Sequence, residues 1–135
     1  MKIVVIDGQG GRMGKLIVEG IIAANIECDL LAIGTNSTAT QVMMKAGATQ
    51  GATGENPVIV ACRDADVIIG PIGIVSADAL FGEVTPNMAV AIGQSKAIRI
   101  LLPVNHCNNQ VVGVRAMGMT DLIKATIDKL KEVIA

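Results

Sequence analysis

The sequence predicts a doubly wound α/β domain built on a mostly parallel sheet. Three observations carry that expectation. Runs rich in β-formers alternate with helical runs along the chain. Strand-like runs such as KIVVI (from Lys2) and DVIIG (from Asp66) are continuously apolar, as strands covered on both faces are. The stretch DGQGGRMG, Asp7 to Gly14, follows the first such run directly and opens a helix. Strand–helix–strand units of this kind cross over right-handed, so the loops after strands one, two, four and five are expected on one edge of the sheet.

KIVVI is the first strand. Met13, Leu16, Ile17, Ile21 and Ala24 recur at three- and four-residue spacing and form the apolar stripe of the first helix. Asn25 is expected to end it in a left-handed conformation. DLLAIG is the second strand. TNSTATQVMMKAG is the second helix, capped by Asn36 or Ser37 and stopped by Gly47. ATQGATG repeats a Gly-Ala-Thr unit once and reads as a short strand with a loop. ENPVIVACRDADVIIGP is ambiguous. VIVA suits a strand, yet Asn56-Pro57 is a cap followed by proline at the first helical position, which favours a helix over Pro57 to Ala65. DVIIG is the fourth strand.

GIVSADALFGEV is a loop with a helical turn. Thr85-Pro86 repeats the cap–proline opening and starts the helix TPNMAVAIGQSKA. IRILLPV is the fifth strand, NHCNN a tight polar link and QVVGVR a sixth strand. A link so short makes strands five and six an antiparallel hairpin at the C-terminal edge of the sheet. TDLIKATIDKLKEVIA is a closing amphipathic helix. Thr120 is its cap, Asp121 favours its positive end, and Ile123, Ile127, Leu130 and Ile134 face inward.

The 135 residues fit one domain, residues 1–135, large enough to need no disulfide or metal staple. A net charge of −1, with one Phe and no Tyr or Trp, argues against nucleic acid, which wants a positive field and aromatic platforms. Apolar residues make up 51% and charged ones 17%, an excess that points to surface buried between copies and hence to a homo-oligomer. Every apolar run is interrupted well before the ~18 residues of a membrane span, and IVVI is too short for a signal peptide. Three cysteines without paired spacing point to a reducing cytoplasm. Cys28, Cys62, Cys107 and His106 match no zinc pattern.

Gly8, Gly10 and Gly14 form G-x-G-x-x-x-G, with Gly11 alongside. Gly8 is expected to take the positive φ that turns the chain out of the strand. Gly10 and Gly11 let an anion approach the backbone, where the helix N–H groups point at it. Gly14 lets the helix lie close on the sheet, and Arg12 reaches a phosphate or lies in solvent. Following a strand and opening a helix is the context this fingerprint requires. The expected ligand is therefore a nucleotide or dinucleotide phosphate, held by Gly8, Gln9, Gly10, Gly11, Arg12 and Met13. The cofactor is NAD(P) or another nucleotide, and the sequence does not choose between them.

GQGGRMG resembles the cofactor loop of dihydrodipicolinate reductases, in which such a run binds a nicotinamide dinucleotide. That likeness covers about ten residues, and neither a paired-histidine motif nor a second domain accompanies it. Over its whole length the chain resembles a bacterial domain-of-unknown-function family of small Rossmann-like proteins. The carriers are VIDGQGG, GTNSTAT, GATGEN, CRDADVIIGPIGIV and the PVN that ends at Asn105. The likeness implies the Rossmann-like fold and lends no activity.

Dinucleotide sites usually put Asp or Glu at the end of strand two, on the ribose hydroxyls. Here that position reads GTNS, and Thr35, Asn36 and Ser37 either bond a ribose or its 2′-phosphate, or cap the second helix. Gly70, Pro71, Ile72 and Gly73 either lend N–H groups to a ligand or end a strand, and Asn105 joins the same edge. Asp7 either accepts the loop's N–H groups or holds Mg²⁺ against a phosphate. His106 and Cys107 are adjacent and point apart in extended chain. His106 is a ligand contact, a proton carrier or a turn residue, and Cys107 is the weaker nucleophile candidate. Asp78, Glu83 and Glu55 are the other carboxylates near the edge; Asp64 and Asp66 are expected in solvent at the opposite one. Three functions remain: a nucleotide-binding sensor or regulatory subunit, an NAD(P)-dependent or phosphate-processing enzyme completed by a second subunit, and an interaction module with a vestigial loop.

Overall fold

The computed structural model describes residues 1–104 and 108–135. The elements run β1 (Lys2–Asp7), α1 (Arg12–Ala23), β2 (Asp29–Gly34), α2 (Ser37–Ala46), β3 (Gln50–Thr53), α3 (Glu55–Cys62), β4 (Val67–Pro71), α4 (Pro86–Gln94), β5 (Ile98–Leu102) and α5 (Met119–Ile134). A 3-10 turn, Ile72–Val75, follows β4. The strands form a five-stranded sheet in the order β3-β2-β1-β4-β5. Every neighbouring pair is parallel, with Ile3 opposite Leu30 on one side and Val67 on the other. This is the Rossmann-like doubly wound arrangement, with β1 at its centre.

The strands are apolar throughout because both faces are covered. Side chains alternate between faces along a strand. Ile3 and Val5 pack with Ile17, Val18, Ile21, Met43, Ile127 and Leu130 of α1, α2 and α5. Val4 and Ile6 pack with Val58, Met88 and Ile92 of α3 and α4 on the other face. The stripe on α1 is buried at Ile17 and Ile21, with Val18 added and Met13, Leu16 and Ala24 only half-buried.

Local chemistry sets most element ends. The Asn36 side chain accepts from the Ala39 N–H at 2.9 Å and starts α2, and Gly47 at φ 120° stops it. Thr85 accepts from the Met88 N–H at 3.1 Å, and Pro86 opens α4. Asn25, at φ 54°, takes the left-handed conformation after α1. The helix that Asn56-Pro57 announces is present but starts earlier. Gly54, at φ 100°, is its N-cap and Glu55 its first residue. Pro57 fits the third position because that N–H has no intrahelical acceptor.

Two of these expectations fail. The antiparallel edge hairpin is absent: Gln110–Arg115 forms no strand, and β5 ends at Leu102 as a parallel neighbour of β4. The β-propensity of QVVGVR depends on a pairing partner, and the segment runs exposed toward α5 instead. Thr120 is not the cap of α5. Gly118 holds that position and Thr120 sits inside the first turn, ahead of Asp121. Asp64 and Asp66 are exposed, as expected, and both also bond Lys2. Asp64 pairs with the Lys2 ammonium at 2.6 Å, and Asp66 accepts the Lys2 N–H at 2.7 Å, tying the start of β1 to the turn before β4.

The turn from β1 into α1 is held by Asp7, which is 5% exposed. One carboxylate oxygen accepts the Gly8 N–H at 2.8 Å and the other the Gly14 N–H at 2.7 Å. Burial pushes the Asp7 carboxyl above the ordinary aspartate range and outweighs the lowering by those two bonds; Glu83 adds to the rise. A carboxyl raised in the folded state favours folding most when protonated. Its contribution is full below the ordinary aspartate range and is lost as pH rises through the raised value.

Asp7→Asn is expected to turn an amide NH₂ against one of the two N–H groups and cost about 1–3 kcal/mol. Denaturant unfolding over a range of pH checks this. The wild type's advantage should be widest at low pH and narrow as pH rises. An Asn variant of equal stability would show that the clamp is dispensable.

Candidate functional site

All strands run parallel, so the chain leaves β1, β2, β4 and β5 at one edge of the sheet. The glycine loop lies there, and accounting for its backbone donors defines the site. Asp7 takes the Gly8 and Gly14 N–H groups. The Gly11 N–H donates to the Gly8 carbonyl at 2.9 Å, closing a tight turn. The Gln9 N–H donates to Glu83 Oε1 at 2.9 Å. Among the described residues, the N–H groups of Gly10, Arg12 and Met13 meet no protein acceptor. They stand at the positive end of α1, whose cap residue Gly11 supplies no side-chain bond.

The positive φ angles fall on Gln9 (50°) and Gly11 (74°), not on Gly8. Gly8 is glycine for space, since a Cβ there would press on Thr35 Oγ1, Leu80 Cδ1 and Glu83 Oε1. Gly11 is pressed against Ala39 of α2, and Gly14 against Met43 and Asp7. A Cβ on Gly10 would meet nothing within 4 Å, so that peptide faces open space. Gly14 thus lets α1 lie close, and Gly10 is the point of access.

A cleft of about 210 Å³ opens over this loop, lined by Gly8 to Met13 together with Pro71, Leu80, Val104 and Met119. A second cavity of about 310 Å³ adjoins it, sharing Gln9 and Leu80 and reaching Ser76, Asp78, Phe81 and Asn108. Gly8, Gln9, Gly10, Gly11, Arg12, Met13 and Pro71 thus come together as expected. Gly70, Ile72 and Gly73 do not line either space; Gly70 is glycine because a Cβ would strike the Ile6 carbonyl. Ser37 is the exposed first residue of α2. Asn105, His106 and Cys107 lie outside the described residues, so their proposed roles rest on sequence.

Glu83 is the residue whose role the sequence leaves open. Its Oε1 accepts the Thr35 hydroxyl at 2.6 Å, the Asn36 amide at 2.7 Å and the Gln9 N–H at 2.9 Å. One carboxylate from the loop after β4 therefore ties together the loops after β1 and β2. Partial burial works to raise the Glu83 carboxyl, but the three hydrogen bonds outweigh it and hold it below the ordinary range. The clasp's contribution to stability is accordingly present above the ordinary glutamate range and lost as pH falls through the lowered value.

The segment that presents Glu83 is strained. Asp78 (φ 66°), Leu80 (57°) and Phe81 (57°) are left-handed non-glycine residues just ahead of it. Such conformations cost of order 1–3 kcal/mol each and persist only where the surroundings enforce them. Here the Asp78 N–H bonds the Val84 carbonyl at 2.8 Å and Leu80 is buried beside the glycine loop. Asp78 therefore shapes this turn rather than capping a helix. Phe81, the sole aromatic residue, is 99% exposed beside the second cavity.

Nothing in the sequence marks Leu80, Val104 and Met119 as cleft residues. They come from irregular stretches and a helix start, where no periodicity marks an inward face. Glu55 lies off the cleft and accepts the Thr85 hydroxyl at 2.5 Å. Another cavity, about 540 Å³, is an open groove between α3 and α4, lined by Ile59, Cys62, Arg63, Val90 and Lys96 among others. It lies at the carboxyl ends of those helices, away from the strand edge where ligands bind in such sheets. Burial pushes the Cys62 thiol up to about 11, so it is not a nucleophile at neutral pH. Among the described residues no helix is long and apolar enough to cross a membrane.

No protein of curated function matches the chain. Among solved structures it is similar to a nucleoside-diphosphate-sugar epimerase from Pseudomonas aeruginosa, at 18% identity and a TM-score of 0.49. The likeness covers 96% of this chain and 46% of that one, so the chain spans less than half the length of the epimerase. Residues 2–135 match the family described as domain of unknown function (DUF3842), and the chain belongs to that family.

Proposed function

We propose that the chain is a small-molecule binding protein that holds the phosphate of a nucleotide or dinucleotide, NAD(P) among the candidates, at Gly8–Gly14. The observation that carries this reading is the set of N–H groups on Gly10, Arg12 and Met13. They have no protein acceptor among the described residues and open onto the 210 Å³ cleft at the strand edge. Oriented amides at a helix N-terminus favour an anion. Arg12 is exposed beside them and enters no ion pair among the described residues, so its charge is available to a phosphate. With the adjoining 310 Å³ cavity the space reaches the size of small-molecule sites, roughly 300–1,000 Å³.

Binding is favoured over acid–base chemistry by the lining itself. Asp7 is the one carboxylate on the cleft among the described residues, and both its oxygens are engaged by backbone N–H groups. Those bonds support the anchoring role for Asp7 rather than a Mg²⁺ ligand. Pro71, Leu80, Val104 and Met119 supply apolar wall. A second copy covering Phe81 (99% exposed) and Val112 (97% exposed) would account for the apolar excess of the composition.

Native mass spectrometry of the protein with NAD(H), NADP(H), ATP and coenzyme A is expected to reveal a saturable adduct. Gly10→Asp should leave the fold intact, because a side chain there meets open space, and should weaken the adduct about tenfold or more by placing a carboxylate over the donors. Unchanged affinity would put the ligand elsewhere. For the assembly, sedimentation at micromolar concentration is expected to show a dimer or larger species, and Phe81→Ser should shift it toward monomer. A monomeric wild type would remove the oligomer from the account.

A further inference from the structure

We infer that the outer face of α3 and α4 is an interface between two copies of this chain, packed antiparallel about a two-fold axis at Ile59. A surface helix turns apolar residues inward and charged ones outward, whereas a helix apolar all round is a covered one. α1 and α5 follow the first pattern, with exposed Lys15 and Glu19 on one and Lys124, Asp128, Lys129 and Glu132 on the other. α3 reads ENPVIVAC and α4 reads PNMAVAIGQ, and Glu55 is their one charged residue. Val58, Ala61 and Cys62 of α3 and Met88, Ala89 and Ile92 of α4 are buried with the sheet. What is left outside is apolar too. Ile59 and Ala91 are half-buried, Val60 is 44% exposed and Val90 51% exposed. The groove of about 540 Å³ between the helices is lined by Ile59, Val90 and Ala91 in its middle.

The charges identify the occupant. Glu55, Ile59 and Arg63 are four residues apart and fall on one stripe of α3, because the cap residue Arg63 keeps helical backbone (φ −67°, ψ −34°). The stripe reads acid, apolar, base. Glu55 accepts the Thr85 hydroxyl at 2.5 Å, and Thr85 caps α4, so this carboxylate lies between the amino ends of both helices. Arg63 and Lys96 line the groove at the carboxyl ends. Among the described residues, Glu55, Arg63 and Lys96 enter no ion pair. A face that is acidic at one end, apolar in the middle and basic at the other complements its own reverse. A two-fold contact supplies that reverse, since each patch meets its own copy. Arg63 of either copy then faces Glu55 of the other, and the two Ile59 side chains meet at the axis. On α4 the groove-facing residues Asn87, Val90, Ala91 and Gln94 repeat the order without charge, polar at the ends and apolar between. This face shares no residue with the surface around Phe81 and Val112, so the two contacts stand or fall separately.

Cross-linking and sedimentation of the full chain test the inference. With diamide as the thiol oxidant, Ile59→Cys is expected to give a disulfide-linked dimer well above the background from the three native cysteines. Lys129→Cys, exposed on α5, is expected to stay at background. Arg63 is exposed and its side chain bonds nothing among the described residues, so Arg63→Glu should fold as the wild type does. It sets carboxylate against carboxylate at both ends of the interface and should raise the dissociation constant of the assembly about tenfold or more. Adding Glu55→Gln keeps an oxygen for Thr85, removes the like charge and should recover most of that loss. An Ile59→Cys protein that cross-links no more than the wild type overturns the interface. So does an Arg63→Glu assembly of unchanged affinity, or a loss that Glu55→Gln does not relieve. In either case the surface around Phe81 is untouched, whereas a monomeric wild type removes both contacts.

Discussion

Two hydrogen bonds from the Gly8 and Gly14 amides to one buried carboxylate fix where α1 begins, and the rest of the candidate site follows from that. Asp7 ends the central strand of the sheet, so its position is set by β2 on one side and β4 on the other. By taking the first and last glycine amides of the loop, it holds the intervening peptides in a tight arch. The arch requires left-handed backbone at Gln9 and Gly11 and close approach at Gly8 and Gly14. A buried charge is costly unless hydrogen-bonded, and the loop supplies those bonds. What remains is a short run of amides turned outward, with no carboxylate in the first turn of α1 to compete for them.

Glu83 does for the neighbouring loops what Asp7 does for this one. Its single oxygen gathers donors from Gln9, Thr35 and Asn36, which belong to two different strand–helix connections. The left-handed turn over Asp78 to Gly82 delivers it there, and backbone strain at those residues is the cost of that reach. The two carboxylates are electrostatically aware of each other, since Glu83 contributes to the raised Asp7 carboxyl. Both carboxylates are engaged by hydrogen bonds of the surrounding loops.

The parallel sheet and its helices were legible because their signals are local. Continuous apolar runs, the Asn36 cap, the Gly47 stop and the Thr85-Pro86 opening each depend on residues within one turn or one strand. The glycine loop was legible for the same reason. What escaped depends on distance along the chain. Glu83 lies far from Gln9, Thr35 and Asn36 in sequence, and no periodicity links them. QVVGVR reads as a strand by composition, but a strand exists only when a partner lies alongside, and none pairs with it in the described fold. The choice of Gly8 for positive φ failed because two demands act on neighbouring positions. Space is needed at Gly8, and left-handed backbone falls at Gln9 and Gly11.

The central claim is that the outward amides of the glycine loop receive a phosphate. Amide-resolved NMR of the labelled chain during titration with NAD⁺ and with ATP tests it at those atoms. The account predicts that the largest saturable shifts fall on Gly10, Arg12 and Met13, with smaller ones at Gln9 and Leu80. Shifts centred instead on Arg63 and Lys96 in the groove between α3 and α4, or no saturable shift with either nucleotide, would contradict it.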